Sequence, residues 1–468
     1  MNAPDPLDRF VADLHDTDGR AVSAVRSLLA EAGATEPVRA ALGTDSAAGA
    51  TADAATGADP RLEHLRYKPG HSVLARVEGG GQPWWLVVRT PRSADKAAKM
   101  RTRAAESGLP LIDGEVPGTA LHVQAGPVGL DKNLFKPLRR GDLVDTRGAV
   151  AGTVLSYNPW RRLVLRRDAQ GEPGTGAPGA PTVLRLWHAP PASADLLAPL
   201  HAAGVAVLPA RRTRVGIEQP WATGGDLERL LARATPAAEA PVGSAVPVGS
   251  ATSVSREGED GMPDLGRALH DTAEAVAGLH DALHTVPGLR EAGLGRLDPT
   301  CTVAAAREGL EAVLPDLLPA FDRVGERVRR ALAADHSPDV LLHGDLSADQ
   351  VVLDACGGVR LIDLDRLNVG PAGHDLGGFA AMELIRGRTD TAEALVAAYR
   401  ECAASLDGAA DRSAGPSDAA VRAWTAHHLL LRVGEPFRDL VPAWRGRVEA
   451  RITLASAVLD GGPEGVDA

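Results

Sequence analysis

The sequence has few cysteines and few aromatic residues, and each shortage excludes a class of protein. Its three cysteines, Cys301, Cys356 and Cys402, lie far apart and include no Cys-x-x-Cys pair. Neither a disulfide framework nor a zinc site is therefore indicated, and we expect three buried thiols. Aromatic residues make up 3% of the chain and hydrophobic residues 44%, so the cores must be built mainly from alanine, leucine and valine.

Long apolar runs and an excess of positive charge are also missing. No run approaches the roughly eighteen apolar residues of a membrane span, and residues 1–10 are too polar and acidic for a signal peptide. The net charge of −11 argues against general binding to nucleic acid or anionic lipid, both of which need clustered cations. We therefore expect a cytoplasmic protein that binds neither nucleic acid nor membrane. The oligomeric state stays open.

The most informative segment that is present runs from Leu341 to Arg366 and reads LLHGDLSADQVVLDACGGVRLIDLDR. Two short apolar runs flank a Gly-Gly pair, which supplies the positive φ angles of a hairpin turn. Antiparallel pairing would bring Gln350 beside Asp363, with Asp345 in the loop that leads into the hairpin. Mg²⁺ prefers oxygen ligands, and phosphoryl transfer needs a carboxylate at the acceptor hydroxyl. The segment therefore predicts Asp363 and Gln350 as metal ligands and Asp345 as the catalytic base that orients the acceptor hydroxyl.

This segment resembles the catalytic core of the aminoglycoside phosphotransferase family, whose motif reads His-Gly-Asp, four residues, Asn and later Ile-Asp. His343-Gly344-Asp345 matches the motif, whereas Gln350 replaces the Asn. The resemblance implies a two-lobed, protein-kinase-like α+β fold. It also implies Mg²⁺, ATP or GTP as phosphoryl donor, and a small hydroxylated acceptor such as a sugar or an aminoglycoside. Asp365 would either bind a second metal ion or pair with Arg366.

Residues 368–379 are rich in glycine and proline and lead into an apolar-periodic segment. This pattern predicts a loop that enters a helix, with Asp375 as the N-cap. The resemblance implies that Asp375 closes this loop against the catalytic loop. Its role would then be structural rather than chemical.

The chain repeats one pattern at an offset of ninety residues. RYKPGHSVLAR at 66–76 corresponds to SYNPWRRLVLR at 156–166, and each copy predicts a β-hairpin followed by a further strand. The second copy is continuous with more strands, so we interpret it as the nucleotide lobe. The first copy is interpreted as a small β unit packed on that lobe. A phosphate contact from its Lys68, Arg76 or Arg89 is the less favoured alternative.

The nucleotide lobe lacks the cation that the kinase-like fold normally provides. Lys136 is the last lysine of the chain, and Arg185 occupies the third-strand position where the fold carries a lysine toward the phosphates. A guanidinium can fork onto phosphate but is not equivalent to an ammonium. Arg162 and Glu218, the latter at the predicted hinge, are the other candidates for nucleotide binding, and only Asp195 is within reach as an acidic partner of Arg185. Either Arg185 performs the lysine's role or nucleotide binding is impaired.

From residue 264 onward apolar residues recur at helical spacing, which predicts a mainly helical lobe. His280 and His284 are expected on its surface, because no third metal ligand is evident nearby. Close to the end, a helix breaks at Gly434–Pro436 and projects Glu435 and Asp439. The resemblance makes these two acids candidates for acceptor binding, and a capped helix junction is an equal alternative.

The sequence thus predicts four parts. They are an N-terminal unit that echoes the nucleotide-lobe hairpin (1–140), a nucleotide-binding lobe (150–231), a flexible linker (232–263) and a helical catalytic lobe (264–460). The predicted function is a small-molecule kinase, and no Asp-Phe-Gly or Ala-Pro-Glu segment points to a protein kinase. The alternative is a catalytically silent, kinase-like nucleotide-binding or scaffold protein, which Arg185 and Gln350 favour.

Overall fold

The first half of the chain forms antiparallel sheets and the second half forms helices. The computed structural model describes residues 7, 10–11, 61–78, 82–115, 119–168, 180–234, 264–354, 357–406 and 415–461. Within these ranges the predicted α+β class is confirmed. No helix among them is both long enough and apolar enough to cross a membrane.

The first sheet, called the N-terminal sheet below, has the strand order β1-β2-β3-β5-β4. Its elements are β1 (Arg61–Lys68), β2 (Ser72–Glu78), β3 (Trp84–Arg89), α1 (Ala94–Ser107), β4 (Ile112–Glu115) and β5 (His122–Pro127). Every residue of β3 is buried. A strand reads as a continuous apolar run when both faces of its sheet are covered, and the sequence WWLVVR has this character.

The second sheet repeats the first in strand order, as β6-β7-β8-β10-β9. A short helix, α2 (Phe135–Arg140), precedes it, and its elements are β6 (Thr153–Asn158), β7 (Arg162–Arg167), β8 (Thr182–Trp187), α3 (Leu197–Ala202), β9 (Arg211–Arg212) and β10 (Ile217–Pro220). Both sheets also carry a bulge in their first strand, between Glu63 and Arg66 and between Val154 and Ser156. Both predicted hairpins are confirmed, and the repeat extends to the whole five-stranded unit.

The helical lobe, residues 264–461, holds two small strand pairs among its helices. The helices from the second sheet onward are α4 (Leu227–Ala234), α5 (Leu265–Thr285), α6 (Pro299–Val313), α7 (Leu318–Ala333), α8 (Gly373–Ile385), α9 (Thr389–Ser405), α10 (Asp418–Leu431), α11 (Glu435–Arg438) and α12 (Trp444–Leu459). The strands are β11 (Asp339–Leu342), β12 (Val351–Leu353), β13 (Val359–Leu361) and β14 (Asn368–Pro371). β12 and β13 pair antiparallel with Val351 opposite Leu361, so the predicted hairpin is confirmed.

The N-terminal sheet packs against both other parts of the molecule. On one face Trp85 and Val87 share a core with Leu163 and Leu184 of the second sheet. On the other face Leu65, Val73 and Leu86 share a core with Phe437 of α11, and Leu7, Phe10 and Val11 belong to the same core. The ring of Tyr67 lies 6.4 Å from that of Phe437. The N-terminal sheet therefore bridges the second sheet and the helical lobe.

Several expectations need correction. The predicted linker, 232–263, begins inside α4, which extends to Ala234, and residues 235–263 lie outside the described part of the chain. Cys301 is exposed rather than buried, Cys402 is buried as expected, and Cys356 is outside the described residues. His280 is buried and not on the surface. The four-part division of the chain stays a prediction.

Candidate active site

Asp345 lies in a loop, residues 343–350, that follows β11 and ends in a 3₁₀ turn, Ala348–Gln350. The preceding Gly344 has φ 83°, and a Cβ at that position would lie 2.2 Å from the carbonyl oxygen of Arg366. Only glycine fits there. His343 Nε2 donates to the carbonyl of Ile362 at 2.8 Å. This bond ties the loop of Asp345 to the end of the hairpin, next to Asp363.

Asp375 holds the 343–350 loop in place through hydrogen bonds to its backbone. Its carboxylate accepts the backbone N–H groups of His343 (2.6 Å) and Gly344 (2.9 Å), and His280 Nε2 lies 3.0 Å away. Burial alone would raise the pKa of Asp375, but hydrogen bonds from His280 and His374 outweigh it and hold this pKa well below its usual value. The predicted N-cap role is wrong, because α8 begins at Gly373 and Asp375 bonds to the loop instead. This contact is the one that the resemblance implied.

Asp363 and Asp365 face two arginines of the second sheet. Arg162 donates to both oxygens of Asp363 (2.6 and 2.9 Å) and to Asp365 (3.1 Å), and Arg185 donates to Asp363 and, at 2.9 Å, to Asp365. Trp187 Nε1 also donates to Asp365 at 2.9 Å. Arg162 and Trp187 are directly opposite each other in the ladder, and Arg185 lies two residues before Trp187. All three side chains therefore project from one face of the sheet, toward the helical lobe.

The charges of the two arginines keep the Asp363 carboxyl group ionised. Burial alone would raise the pKa of Asp363, but the charges of Arg185 and Arg162 more than offset burial and hold it well below its ordinary value. Asp363 also adopts a left-handed backbone, φ 62° and ψ 38°. Such strain is typical of functional sites, where the surrounding structure enforces it.

Two alternatives of the sequence analysis are resolved by these contacts. Asp365 does not pair with Arg366, whose guanidinium lies 3.2 Å from Asp345 instead. Asp195, considered as a partner of Arg185, is exposed and pairs with Arg212. The partners of Arg185 are the two predicted metal acids themselves.

Two predicted residues do not join this cluster. Gln350 has its backbone carbonyl bonded to Ile362, but its amide donates to Asp349 at 3.0 Å rather than turning to Asp363. Glu218 is paired with Leu184 in the ladder, so its side chain lies on the opposite face of the sheet from Arg185. Burial alone would raise the pKa of Glu218, but bonds from Thr182 and Arg211 outweigh it and lower this pKa.

The predicted acceptor acids lie beside Asp345. Arg432 Nη2 is 3.1 Å from Asp345, and its Nη1 is 3.0 Å from Glu435, which also binds Arg451 at 3.0 Å. Asp439 is the residue after α11, and its backbone N–H donates to the carbonyl of Glu435. Alternating ion pairs therefore lead from Asp345 to Arg451, with Asp439 at the end of the same helix.

The turn between β6 and β7 is anchored to residues before it. Asp131 accepts the backbone N–H of Trp160 and the hydroxyl of Tyr157, both at 2.7 Å, and Asn133 donates to the Trp160 carbonyl at 2.7 Å. Arg66 of β1 donates to the carbonyl of Pro159. The N-terminal sheet and the segment after it thus hold this turn in place.

Three residues that shape the site were not predicted to do so from the sequence, namely Asp131, His280 and Arg432. His280 lies four positions after Val276 of the apolar stripe, and Arg432 lies three positions before Glu435, a spacing at which side chains on a helical turn meet. These spacings were usable signals. Asp131 carried none, because its partners are far along the chain.

The chain matches the family described as "Phosphotransferase enzyme family" over residues 174–412. No curated protein matches the sequence. Among solved structures, it is similar to a choline/ethanolamine kinase family protein from Mesorhizobium loti, at 18% identity and a TM-score of 0.42, with 67% of this chain and 90% of that one covered.

Two further similarities are to phosphotransferases of antibiotics. The macrolide 2′-phosphotransferase from Brachybacterium faecium has 19% identity and a TM-score of 0.36, with 71% of this chain and 99% of that one covered. An amicoumacin kinase, solved with AMP-PNP and Ca²⁺, has 10% identity and a TM-score of 0.47, with 71% and 94% covered.

Proposed function

This chain belongs to the phosphotransferase enzyme family, and from that premise we propose that it transfers the γ-phosphoryl group of ATP or GTP to a hydroxyl of a small molecule such as a sugar or an aminoglycoside. The observation that carries the proposal is the meeting of two loops with one sheet face. The loops bear Asp345 and Asp363, and the sheet face bears Arg162 and Arg185. The cytoplasmic location expected from the sequence belongs to this proposal, because the donor nucleotides are cytoplasmic metabolites.

The carboxylates of Asp363 and Asp365 suit a magnesium ion that arrives with a nucleotide. Mg²⁺ is usually held by one or two carboxylates together with phosphate oxygens and water. The described residues contain no group of three or more His, Cys, Asp or Glu side chains that could hold a metal by themselves. Two acids with phosphate oxygens would complete such a site. Gln350 could contribute its amide oxygen only if its side chain turned away from Asp349.

The side chains of the cleft then have separate roles in the proposed reaction. Asp345 accepts the proton of the acceptor hydroxyl and orients its oxygen. Arg162 and Arg185 are close enough to both acids to bind the phosphates beside them, where their charge offsets that of the transferred group. Bound Mg²⁺ would neutralise phosphate oxygens. Asp375 holds the backbone that carries Asp345.

A second candidate function has its own support. The two predicted metal acids already pair with guanidinium groups, which would compete with a metal ion for the carboxylate oxygens. A catalytically silent protein could keep this closed arrangement permanently as a structural contact between lobes. The two functions differ in whether Mg²⁺ and nucleotide open the cluster.

Calorimetry with a non-hydrolysable ATP analogue separates them. The wild type should bind the analogue in a Mg²⁺-dependent way, Asp363→Ala should lose that dependence, and Asp345→Asn should retain it. The same proteins are then assayed for ADP release with a panel of sugars and aminoglycosides. A folded wild-type protein without Mg²⁺-dependent nucleotide binding would contradict the kinase proposal and favour the silent scaffold.

A further inference from the structure

His64 of the N-terminal sheet lies on the acceptor side of the site. Its Nδ1 is 3.9 Å from a carboxylate oxygen of Asp439, and the two side chains are 39% and 35% exposed. This separation is longer than a hydrogen bond. Among the described residues, neither side chain receives or donates a hydrogen bond of its own. Both are therefore accessible to a third molecule that lies between the N-terminal sheet and α11.

The backbone at His64 is strained in a way that the bulge does not require. His64 has φ 53°, in the left-handed region that histidine adopts only occasionally. The equivalent bulge of the second sheet, between Val154 and Ser156, contains no residue of positive φ. The repeat thus provides an internal comparison, in which the same bulge forms without strain. Strain that the local fold does not need is characteristic of functional positions.

The elements around His64 are well fixed. The next residue, Leu65, is fully buried in the core shared with Phe437, and Tyr67 contacts the Phe437 ring. Phe437 is the partner of β1 in this contact, and Asp439 lies two residues after Phe437. The packing therefore sets the position of His64 relative to the acceptor acids, as a binding residue requires.

Charges of both signs lie side by side on this side of the site. The carboxylates of Asp345 and Glu435 pair with guanidinium groups of Arg366, Arg432 and Arg451. Around Asp439 and His64 the charges of Arg438, Glu63 and Arg76 also act. A polycation would need an excess of carboxylate, which this group of side chains does not offer. Acid and guanidinium groups side by side accept and donate hydrogen bonds alternately, and hydroxyl groups do both.

The protonation states of His64 and Asp439 also favour an uncharged ligand. Burial, followed by the charges of nearby arginines, lowers the pKa of His64 to about 4. Burial, followed by the charge of Glu435, raises the pKa of Asp439 to about 6. At neutral pH His64 is an uncharged imidazole with one donor and one acceptor nitrogen, which suits a neutral hydroxylated ligand.

We propose that His64 binds the phosphoryl acceptor together with Asp439, so that the N-terminal sheet completes an acceptor site selective for uncharged polyhydroxylated molecules. The proposal rests on the proposed phosphotransferase function. It assigns to the N-terminal sheet a direct part in substrate selection, in addition to its packing role.

The test uses the full chain with Mg²⁺·ATP and three acceptor panels, namely neutral mono- and disaccharides, aminoglycosides, and sugar phosphates. Neutral saccharides should be the preferred acceptors. For the best of them, His64→Asn should raise the acceptor KM about tenfold, the effect of one lost hydrogen bond. Asn tolerates the left-handed backbone, so the nucleotide KM and the thermal unfolding midpoint should stay at wild-type values.

His71→Asn is the matched control, because His71 is an exposed histidine of the same sheet, at the turn between β1 and β2. It should leave both KM values unchanged. A wild-type acceptor KM in His64→Asn would overturn the role of His64. A lower unfolding midpoint together with a rise in both the acceptor and the nucleotide KM would also overturn it. Preference for aminoglycosides or sugar phosphates, or no transfer to any saccharide, would overturn the acceptor class. Failure of Mg²⁺·nucleotide binding in the wild type would instead overturn the underlying phosphotransferase function.

Discussion

Asp345 is held by two guanidinium groups at once, those of Arg432 and Arg366. Arg432 contacts one oxygen of this carboxylate and Arg366 the other, so an Asn keeps one of the two contacts but loses the charge that accepts the proton. Asp345→Asn should therefore lower kcat by more than about a hundredfold, the lower end of what a positioned acid or base contributes. Nucleotide affinity, measured by calorimetry, should stay nearly unchanged.

Asp349→Asn is a suitable control for that variant. Asp349 lies on the same loop but bonds to Ser347 and Gln350 rather than to Arg432. We expect it to retain most of the turnover. Wild-type turnover in Asp345→Asn would remove Asp345 from the reaction.

Arg185 occupies the lysine position of the fold, yet its partners are Asp363 and Asp365, the predicted metal ligands. Its removal should have two opposite effects. Arg185→Ala should weaken Mg²⁺·nucleotide binding about tenfold, since a charged hydrogen bond to phosphate is lost. It should strengthen binding of Mg²⁺ alone, since Asp363 and Asp365 lose a competing cation. Arg185→Lys should lie between Arg185→Ala and the wild type in calorimetric titrations.

Arg166→Ala serves as the control for Arg185, because Arg166 stacks on Trp221 at 5.0 Å and makes no contact with the two acids. Both titrations should resemble those of the wild type. If Arg185→Ala bound nucleotide normally, Arg185 would be only a structural partner of Asp363.

Asp439 makes stability depend on pH in a defined direction. Its pKa is raised from 3.8 to about 6 in the folded protein. Ionisation of Asp439 therefore lowers the free energy of unfolding above about pH 6, and this loss is absent near pH 4. Asp439→Asn should therefore be more stable than the wild type at pH 7.5, by about 1 kcal/mol after allowance for solvent screening of a partly exposed group. The advantage should shrink toward pH 4.5 in urea unfolding. A difference independent of pH would contradict this assignment.

At the scale of elements, the 343–350 loop depends on a helix that comes later in the chain. Asp375 of α8 accepts two of its backbone N–H groups. In Asp375→Asn one acceptor oxygen becomes an NH₂ group that faces these donors. We expect a loss of about 3 kcal/mol in unfolding free energy, as for a buried charge partner that is removed. At temperatures where the variant is folded, kcat should fall while nucleotide affinity changes little.

Asp335→Asn is the comparison for Asp375→Asn. Asp335 is bonded to Trp424 at 3.0 Å and has no contact with the 343–350 loop. It should lose stability without a selective loss of kcat. Equal kcat losses in the two variants would mean that Asp375 acts through general stability alone.

The elements that sequence could predict are those with local signals. The β12–β13 hairpin followed from its Gly-Gly turn, and the helix break at Gly434–Pro436 followed from proline and glycine. The pairing of Arg162 with Asp363 could not be predicted, because it joins residues 201 positions apart. The helical spacing of His280 from Val276 signalled its burial, but its partners Tyr399 and Asp375 lie on other helices and could not be predicted. The left-handed backbone of His64 could not be predicted, because position 64 holds neither glycine nor asparagine, the residues that usually mark this conformation.

At the scale of the whole molecule, the repeat shows how one unit can acquire two tasks. Register places Val87 where the second sheet has Arg185, and Ser72 where it has Arg162. The first copy therefore lacks both cations that we propose for nucleotide binding. Arg76 and Arg89, considered as phosphate contacts, are buried and bond to Glu78 and Gln124. The sequence revealed the duplication, but only the packing reveals that the first copy faces both lobes.

The core that joins the N-terminal sheet to Phe437 has a consequence for synthesis of the protein. Leu7, Phe10 and Leu65 emerge from the ribosome much earlier than Phe437, which shares their core but follows them by hundreds of residues. At ~5–20 residues per second the interval is on the order of tens of seconds. During this time the N-terminal sheet has an uncovered apolar face. Ribosome-bound chains stalled before residue 430 should remain sensitive to proteolysis in β1, and chains released from the ribosome should become resistant once Phe437 docks.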